Sequence, residues 1–265
     1  MRVLRVFDFN SAIVRSPGKS VVDGLRANAG PAPVFESVVA EQQAYVGALR
    51  AAGVAVTTLA PLEQFPDSIF VEDPALVFSE AAVQLRPGAA SRLGEAQELS
   101  AVLAARFPQL LRLTEGHADG GDILVTPERV LIGLSARTDE AGAKSLQRLL
   151  ASIGRTSQVV TTPAGTLHLK SDCALIDEQT VLATAELAGS GILAGYKILV
   201  APHEERSATN AVRVNDVVLM RAGCPRTLEM ISKHGVTVVP LQVSEIAKID
   251  AGLSCMSLRW FDTRR

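Results

Sequence analysis

The sequence has few cysteines, few aromatic residues, no large excess of one charge and no long apolar run. Its three cysteines, Cys173, Cys224 and Cys255, are widely spaced and form no C-x-x-C pair. This argues against a disulfide framework and against a structural zinc site. Lys and Arg (26 residues) nearly balance Asp and Glu (28 residues), so no overall field favours nucleic acid or an anionic membrane. We therefore expect a small-molecule partner.

Membrane and export signals are also absent. No uncharged apolar run approaches the roughly 20 residues that a membrane helix needs. Residues 1–15 carry charges inside their apolar run and have no small-residue cleavage site, so we expect a strand there and not a signal peptide. With an odd number of cysteines, this predicts a cytoplasmic protein.

A repeated pattern is present instead. Segments 40–61, 139–163 and 225–243 each read as an amphipathic helix, a glycine and a β-branched strand, and segment 91–113 uses Pro108 in place of the glycine. Pro225 suits a first helical turn, and residues 138–140 suit a capped helix start. Only residues 187–201 lack a convincing helix.

Polar loops follow these strands at a near-constant period. With Asp73, Asp119, His168, Asn210 and Cys255 as markers, the intervals are 46, 49, 42 and 45 residues. Such periods indicate arrays or propellers. We therefore predict an α/β fold of about five units in a ring, with the loops pointing at a common centre. A doubly wound parallel sheet is the alternative.

One loop is unusually acidic for its surroundings. Asp67, Glu72 and Asp73 lie in segment 65–73, which is otherwise rich in large apolar residues. Carboxylates among large apolar residues are costly unless a cation meets them. If Asp119 and Asp122 join them from the next unit, the centre is a cation site; a solvated acidic turn is the alternative.

Two arginines are candidates for binding a carboxylate of the ligand. Arg86 closes the strand after the acidic loop, and Arg137 lies just before a helix. Surface ion pairing is the ordinary role of such residues, but facing the pocket they would bind a carboxylate with forked hydrogen bonds. Acids at one end and arginines at the other describe an amino acid with a cationic side chain.

A nucleophile, a base and an orienting carboxylate are available in these loops. Cys255 follows Gly252 and Ser254, and alone it could be a small core residue. His168 lies in an alternating pattern that predicts a strand, with a surface-facing side chain as the ordinary alternative. With Asp119 the three would form a set of the general triad kind. No dinucleotide or P-loop fingerprint occurs.

Six motifs in one order carry a resemblance to a known family. FPDSIFVEDPALV, GGDILV, GLSARTDEAG, LHLKSD, NDVVLMRAGCPRT and GLSCMSLRW together resemble the dimethylarginine dimethylaminohydrolase family of the guanidine-modifying superfamily. The resemblance implies a pentein-like α/β propeller, with five ββαβ units in pseudo-fivefold arrangement. It also implies that residues 1–265 form a single catalytic domain, and a homodimer is compatible with it.

The resemblance further implies hydrolysis of an Nω-methylated arginine to citrulline and a methylamine, without metal or cofactor. Cys255 would attack the guanidinium carbon, His168 would protonate the departing amine and activate water, and Asp119 would orient His168. The implied substrate-binding residues are Leu25 (through its carbonyl), Asp67, Glu72, Asp73, Arg86, Arg137 and Ser254.

Two departures from the family and three competing functions stay open. The lid segment 23–33 runs through small residues and prolines, and Asp119 stands where bacterial members often have glutamate. A sister enzyme could act on arginine or citrulline. A zinc-dependent hydrolase could use His168, Cys255 and an aspartate, although its usual ligand spacing is absent. A non-catalytic protein could bind arginine-like ligands.

Overall fold

The computed structural model describes residues 4–27 and 30–264, so Asn28 and Ala29 of the predicted lid segment lie outside the described part. Within these ranges the strands are β1 (Ser11–Arg15), β2 (Ala55–Leu59), β3 (Ala75–Val77), β4 (Ala82–Gln84), β5 (Leu110–Arg112), β6 (Ile123–Val125), β7 (Val130–Leu134), β8 (Ser157–Thr161), β9 (Cys173–Leu175), β10 (Thr180–Ala183), β11 (Lys197–Val200), β12 (Val212–Val214), β13 (Val217–Arg221), β14 (Thr237–Leu241) and β15 (Leu258–Trp260). The helices are α1 (Phe35–Ala51), α2 (Leu93–Arg106), α3 (Glu140–Ser152), α4 (Ala185–Ala188) and α5 (Pro225–Lys233).

The described strands form five three-stranded sheets with the same connection in each. In each sheet a short strand pairs antiparallel with a middle strand, and the middle strand pairs parallel with a third. A helix joins the middle strand to the third, because parallel neighbours need a crossover. The structure confirms the predicted five ββαβ units and rules out one doubly wound sheet.

The first unit takes its inner strand from the other end of the chain. β15 pairs antiparallel with β1, with Ser11 opposite Trp260, while β1 pairs parallel with β2. This pairing closes the ring of units. It also explains why Cys255, just before β15, shares the repeat position of the other marker residues.

Helix ends follow the signals in the sequence. The Asp139 side chain accepts a hydrogen bond from Gly142 N at 2.7 Å and caps α3, and Pro225 occupies the first turn of α5. Gly154 and Gly235 have φ values of +75° and +89°, which glycine adopts without strain. The fourth unit agrees with the expectation that residues 187–201 lack a convincing helix, since a single turn, α4, serves as its helix.

The inner strands bring the polar loops to one end of the ring. β3, β6, β9, β12 and β15 have three residues each, mostly buried, and each follows one of the marker residues. The helices pack outside on the sheets; on α1, for example, Val38, Tyr45 and Leu49 are fully buried. In the described part of the chain, no helix is both long and apolar enough to cross a membrane.

Candidate active site

Hydrogen bonds link the five marker loops into a closed ring. Each bond joins neighbouring units. In order around the ring, Glu72 N donates to Cys255 O (3.1 Å), Gly120 N donates to Asp73 O (3.1 Å), and His168 Nε2 bonds Asp119 Oδ2 (2.9 Å). Thr209 Oγ1 then donates to Ser171 O (2.8 Å), and Ser254 N donates to Asn210 Oδ1 (2.9 Å), which returns to the cysteine loop. Polar groups from all five units therefore meet at one centre, as the repeat pattern predicts.

Cys255 lies in a one-turn 3₁₀ helix, Ser254–Met256, directly before β15. Its side chain is buried, and Ser254 Oγ lies 3.9 Å from its sulfur. Gly252 permits this turn, because a Cβ there would lie 2.4 Å from the Asn210 side chain. Asn210, which served only as a marker in the sequence, thus holds the cysteine loop through the Ser254 amide.

His168 is buried and bonded to the fully buried carboxylate of Asp119. The predicted strand at this histidine is wrong. His168 precedes a 3₁₀ turn, Leu169–Ser171, and the strand begins only at Cys173. The turn forms because Leu169 N donates to Asp122 Oδ1 at 2.9 Å, which bends the chain where alternation alone predicts extension.

Asp122 supports the site and is itself held by hydrogen bonds to both of its oxygens. Besides the Leu169 amide on Oδ1, its Oδ2 accepts from Ser135 Oγ at 2.6 Å and from Thr138 Oγ1 at 2.7 Å. Burial raises the pKa of Asp122, an effect that the charge of His168 and these hydrogen bonds oppose. From the sequence we expected Asp122 to contact a bound cation. Both of its oxygens instead accept hydrogen bonds from neighbouring side chains and from the Leu169 amide.

The paired glycines allow neighbouring loops to approach closely. A Cβ on Gly120 would lie 1.9 Å from Glu72 O, and one on Gly121 would lie 2.8 Å from the His168 ring. Gly121 N also donates to Asp73 Oδ1 at 3.0 Å. Glycine is needed at both positions, because any side chain would separate the acidic loop from His168.

The acidic loop is buried and is held by a buried arginine that no motif in the sequence singled out. Arg92 bonds Asp73 Oδ2, donates to Phe70 O at 2.9 Å and pairs with Glu95 Oε2 at 2.7 Å. Burial opposes ionisation of Asp73, but the charges of Arg92 and His168 outweigh it and hold the pKa of Asp73 below its usual range. Burial raises the pKa of Glu95 to about 7 against the attraction of Arg92.

Cys255 and His168 both hold their protons tightly. Burial and the charges of Asp73 and Glu72 raise the pKa of the Cys255 thiol to about 11. Burial alone would lower the pKa of His168, but Asp73 and the hydrogen bond to Asp119 raise it to about 9. Near neutral pH the resting pair is thus a thiol and an imidazolium.

The remaining predicted residues lie around this centre in different ways. Leu25 N donates to Asp67 Oδ1 at 3.0 Å, and burial raises the pKa of Asp67 while the charges of Arg92 and Arg137 lower it. Arg137 therefore lies within electrostatic reach of Asp67. The Arg86 side chain donates to Thr114 O at 2.7 Å in an exposed position, so its role in ligand binding stays a prediction.

Glu72 faces two cations that were not among the residues predicted from the sequence. Lys170 Nζ lies 2.6 Å and Arg259 Nη2 lies 3.2 Å from Glu72 Oε1. Both cations follow a marker residue closely in the chain, by two and four residues. That offset was the only sequence signal for them.

One group of side chains within the described residues has the composition of a metal site. Ligand atoms of Asp73, Asp119 and His168 all lie within 4.8 Å of one another. Each of them already has a protein partner: Arg92 and Gly121 for Asp73, and the His168–Asp119 bond for the other two. Cys255 is not a member of this group, which departs from the zinc set considered from the sequence.

Comparison with known proteins shows which family the chain belongs to. A family model described as arginine deiminase matches residues 108–217. The N(G),N(G)-dimethylarginine dimethylaminohydrolase of Pseudomonas aeruginosa is 38% identical over 95% of this chain and 100% of its own length. The chain belongs to the dimethylarginine dimethylaminohydrolase family. The Streptomyces coelicolor protein of the same name is 32% identical over 94% of this chain and 96% of its own length.

Solved structures agree with this family membership. A cysteine-to-serine variant of the Pseudomonas aeruginosa dimethylarginine dimethylaminohydrolase, in complex with citrulline, superposes with a TM-score of 0.92 at 37% identity. The match covers 96% of this chain and 100% of that one. The N-terminal domain of ArgZ, a cyanobacterial arginine dihydrolase, matches with a TM-score of 0.84 at 18% identity, over 95% of this chain and 97% of that one, which is a likeness of fold. The expected family and its five-unit propeller are confirmed.

Proposed function

We propose that this protein hydrolyses the substituted guanidinium of Nω-methylated arginines, giving citrulline and a methylamine or dimethylamine. One observation carries the proposal beyond the family name. A buried cysteine and a buried histidine–aspartate pair share a centre with the ionised carboxylate of Asp73, whose charge acts on both Cys255 and His168. This arrangement suits a cationic, planar substrate.

Substrate binding supplies the positive charge that the free site lacks around its thiol. A guanidinium beside Cys255 favours the thiolate, because a close cation lowers a thiol pKa. Asp73 and Asp119 are the carboxylates that we assign to the guanidinium nitrogens, with Glu72 supporting the loop from behind. In this way the nucleophile forms only when its substrate is present.

The chemistry then runs in two stages. The Cys255 thiolate adds to the guanidinium carbon, and the imidazolium of His168 donates its proton to the methylated nitrogen as the bond between that nitrogen and the carbon breaks. The resulting thiouronium stays on the sulfur. Neutral His168 next takes a proton from water, the hydroxide adds to the same carbon, and the C–S bond breaks to give citrulline and a free cysteine.

The amino-acid end of the substrate is assigned to the rim of the site. Asp67 and the Leu25 carbonyl would receive the α-amino group, and the Leu25 amide already fixes Asp67. Arg137 would pair with the α-carboxylate, with Arg86 as the second candidate and Ser254 beside the nucleophile. The buried Arg92 keeps the acidic loop in place for this contact.

Deimination of arginine is the second candidate, because the arginine deiminase model matches residues 108–217. The same residues could release ammonia from an unsubstituted guanidinium. The difference lies in the leaving group alone, so a product assay separates the two functions.

The deciding experiment measures citrulline and amine release from N,N-dimethylarginine, monomethylarginine, arginine and citrulline by the purified protein. We expect amine release from the methylated substrates and none from the Cys255→Ser variant. Citrulline and ammonia from arginine alone would select the second candidate.

Two further arms test a zinc-dependent hydrolase and a non-catalytic binding protein. Activity in EDTA equal to that without it would contradict zinc-dependent hydrolysis. Calorimetric binding of dimethylarginine by Cys255→Ser without any turnover by the unaltered protein would indicate a binding protein. A single catalytic domain over residues 1–265, a cytoplasmic location and a possible homodimer stay predictions.

A further inference from the structure

A cavity of about 440 Å³ lies along the ring axis, on the side of the marker loops away from Asp73, Asp119 and Cys255. All five inner strands contribute to its wall, and residues that follow β3 and β15, such as Phe78 and Phe261, also line it. The marker residues precede these strands, so the cavity extends toward the opposite end. Its lining includes Glu72, Gly120 and Ser254 but not their neighbours Asp73, Asp119 and Cys255.

The wall of this cavity, called the channel below, is largely apolar. Leu76, Leu124, Leu175 and Leu258 line it from four different units and are buried in the fold. Ligand sites in proteins are typically apolar concavities of roughly 300–1,000 Å³ with a few placed polar groups. The volume and the wall of the channel both match that description.

The inner end of the channel does not favour an anion. Glu72 Oε1 meets both Lys170 and Arg259, at 2.6 and 3.2 Å. The other oxygen of this buried carboxylate, Oε2, accepts no hydrogen bond from any described residue. That oxygen is buried, and both cations at this end are already paired with the carboxylate, so this end offers an anion no unpaired charge.

The outer wall carries a guanidinium that has no direct ion-pair partner among the described residues. Arg213 donates to Asn215 O at 2.8 Å and to Ile176 O at 2.9 Å, and lies 4.9 Å from the centre of the Phe7 ring. Among the described residues, no carboxylate lies within ion-pair distance of it, whereas nearby Arg5 pairs with Asp8 at 2.6 Å. Asp216, Asp177 and Asp8 act on Arg213 only from beyond ion-pair distance, so this half-buried guanidinium can still pair directly with an anion.

The charges of the whole lining agree with this assignment. The lining holds five cationic and three anionic side chains: Arg5, Arg155, Lys170, Arg213 and Arg259, and Asp8, Glu72 and Glu80. We propose that the channel is a second ligand site, for a small organic anion whose apolar body occupies the leucine-lined wall and whose anionic group pairs with Arg213. The site is separate from the proposed catalytic centre.

A series of three probes tests the proposal without any variant. Binding of 4-phenylbutanoate, its neutral amide and the corresponding amine to the full-length protein is measured by calorimetry. We expect the carboxylate to bind at least about tenfold more tightly than the amide, since a charge-assisted hydrogen bond contributes about 1.5–3 kcal/mol. Equal binding of the three probes, tighter binding of the amine, or no binding at all would overturn the proposal.

Variants then locate the bound probe. Arg213→Gln should weaken carboxylate binding about tenfold, and Leu175→Trp should abolish it by filling the channel. Arg148→Gln, at an exposed arginine paired with Glu115, is the matched control and should bind like the unaltered protein. Cys255→Ser should also bind normally. Carboxylate binding retained in Leu175→Trp would place the probe outside the channel and refute the second site.

Discussion

Binding of a guanidinium should convert the Cys255 thiol into a thiolate. In the free protein, burial and the charges of Asp73 and Glu72 raise the pKa of this thiol to about 11. Near pH 7.5 about one thiol in 3,000 is then ionised, since each pKa unit is a factor of ten. The resting protein should accordingly be a poor nucleophile.

The size of the change follows from the distance between the charges. A cation about 4 Å from the sulfur contributes about 4 kcal/mol at an effective dielectric constant of about 20. That energy corresponds to about three pKa units. A bound guanidinium should therefore bring the pKa of Cys255 from about 11 to roughly 8, where a sizeable fraction of the sulfur is ionised at working pH.

Two assays measure the free and the liganded thiol. Alkylation by iodoacetamide should accelerate about tenfold per pH unit between about pH 6.5 and 9.5 without a plateau, because a pKa of about 11 lies above that range. Rapid mixing with arginine near pH 8 should raise the ultraviolet absorbance of the thiolate. Mixing with citrulline, which is neutral in its side chain, should not.

Cys173 and Cys224 are also buried free thiols, so Cys255→Ser supplies the background for both assays. An alkylation plateau near pH 7 in the unliganded protein would refute the reasoning, since it would require a thiolate stabilised by the protein itself. An absorbance rise with citrulline as large as that with arginine would show that charge is not the cause.

Three further predictions concern the buried ionic groups. Asp119→Asn should lower kcat by about 10²- to 10⁴-fold and shift the alkaline limb of the pH–rate profile downward, because His168 loses one of the partners that raise its pKa to about 9; a profile that keeps its limb would argue against this partnership. Arg92→Met should reduce the urea-measured free energy of unfolding by about 3–5 kcal/mol, since Asp73 and Glu95 lose their buried partner, and a loss below about 1 kcal/mol would contradict it. The raised pKa of His168 should stabilise the fold by about 3 kcal/mol below its unfolded pKa of about 6.5, and that contribution should disappear as the pH rises through about 9; His168→Gln should lack this pH dependence in urea titrations.

The sequence predicted the architecture because each unit carries its own local signals. Helix caps, glycine stops and β-branched strands recur, and the interval between polar loops is set by one ββαβ unit. The position of Cys255 fits this period because β15 completes the first unit. The meeting of Cys255, His168, Asp119 and Asp73 follows from that symmetry, since equivalent loops of a ring point at one axis.

Residues whose roles depend on side-chain direction could not be predicted in this way. Arg92 lies at a helix start, where an arginine is ordinarily exposed, and only tertiary packing buries it against Asp73. Alternation predicted a strand at His168, but the bond from the Leu169 amide to Asp122 turns the chain there. One of the two arginines chosen from the sequence, Arg86, bonds the Thr114 carbonyl, and its role in ligand binding stays a prediction.

The marker loops also divide the charged side chains of the centre between two sides. Asp67, Asp73 and Asp119 belong to the proposed substrate side, whereas Lys170 and Arg259 line the channel, and none of the three aspartates does. Adjacent residues such as Asp73 and Glu72 are therefore assigned to different sides, as the tight turns before the inner strands require. The proposed cationic substrate would face the aspartates, and the proposed organic anion would face Arg213 on the other side.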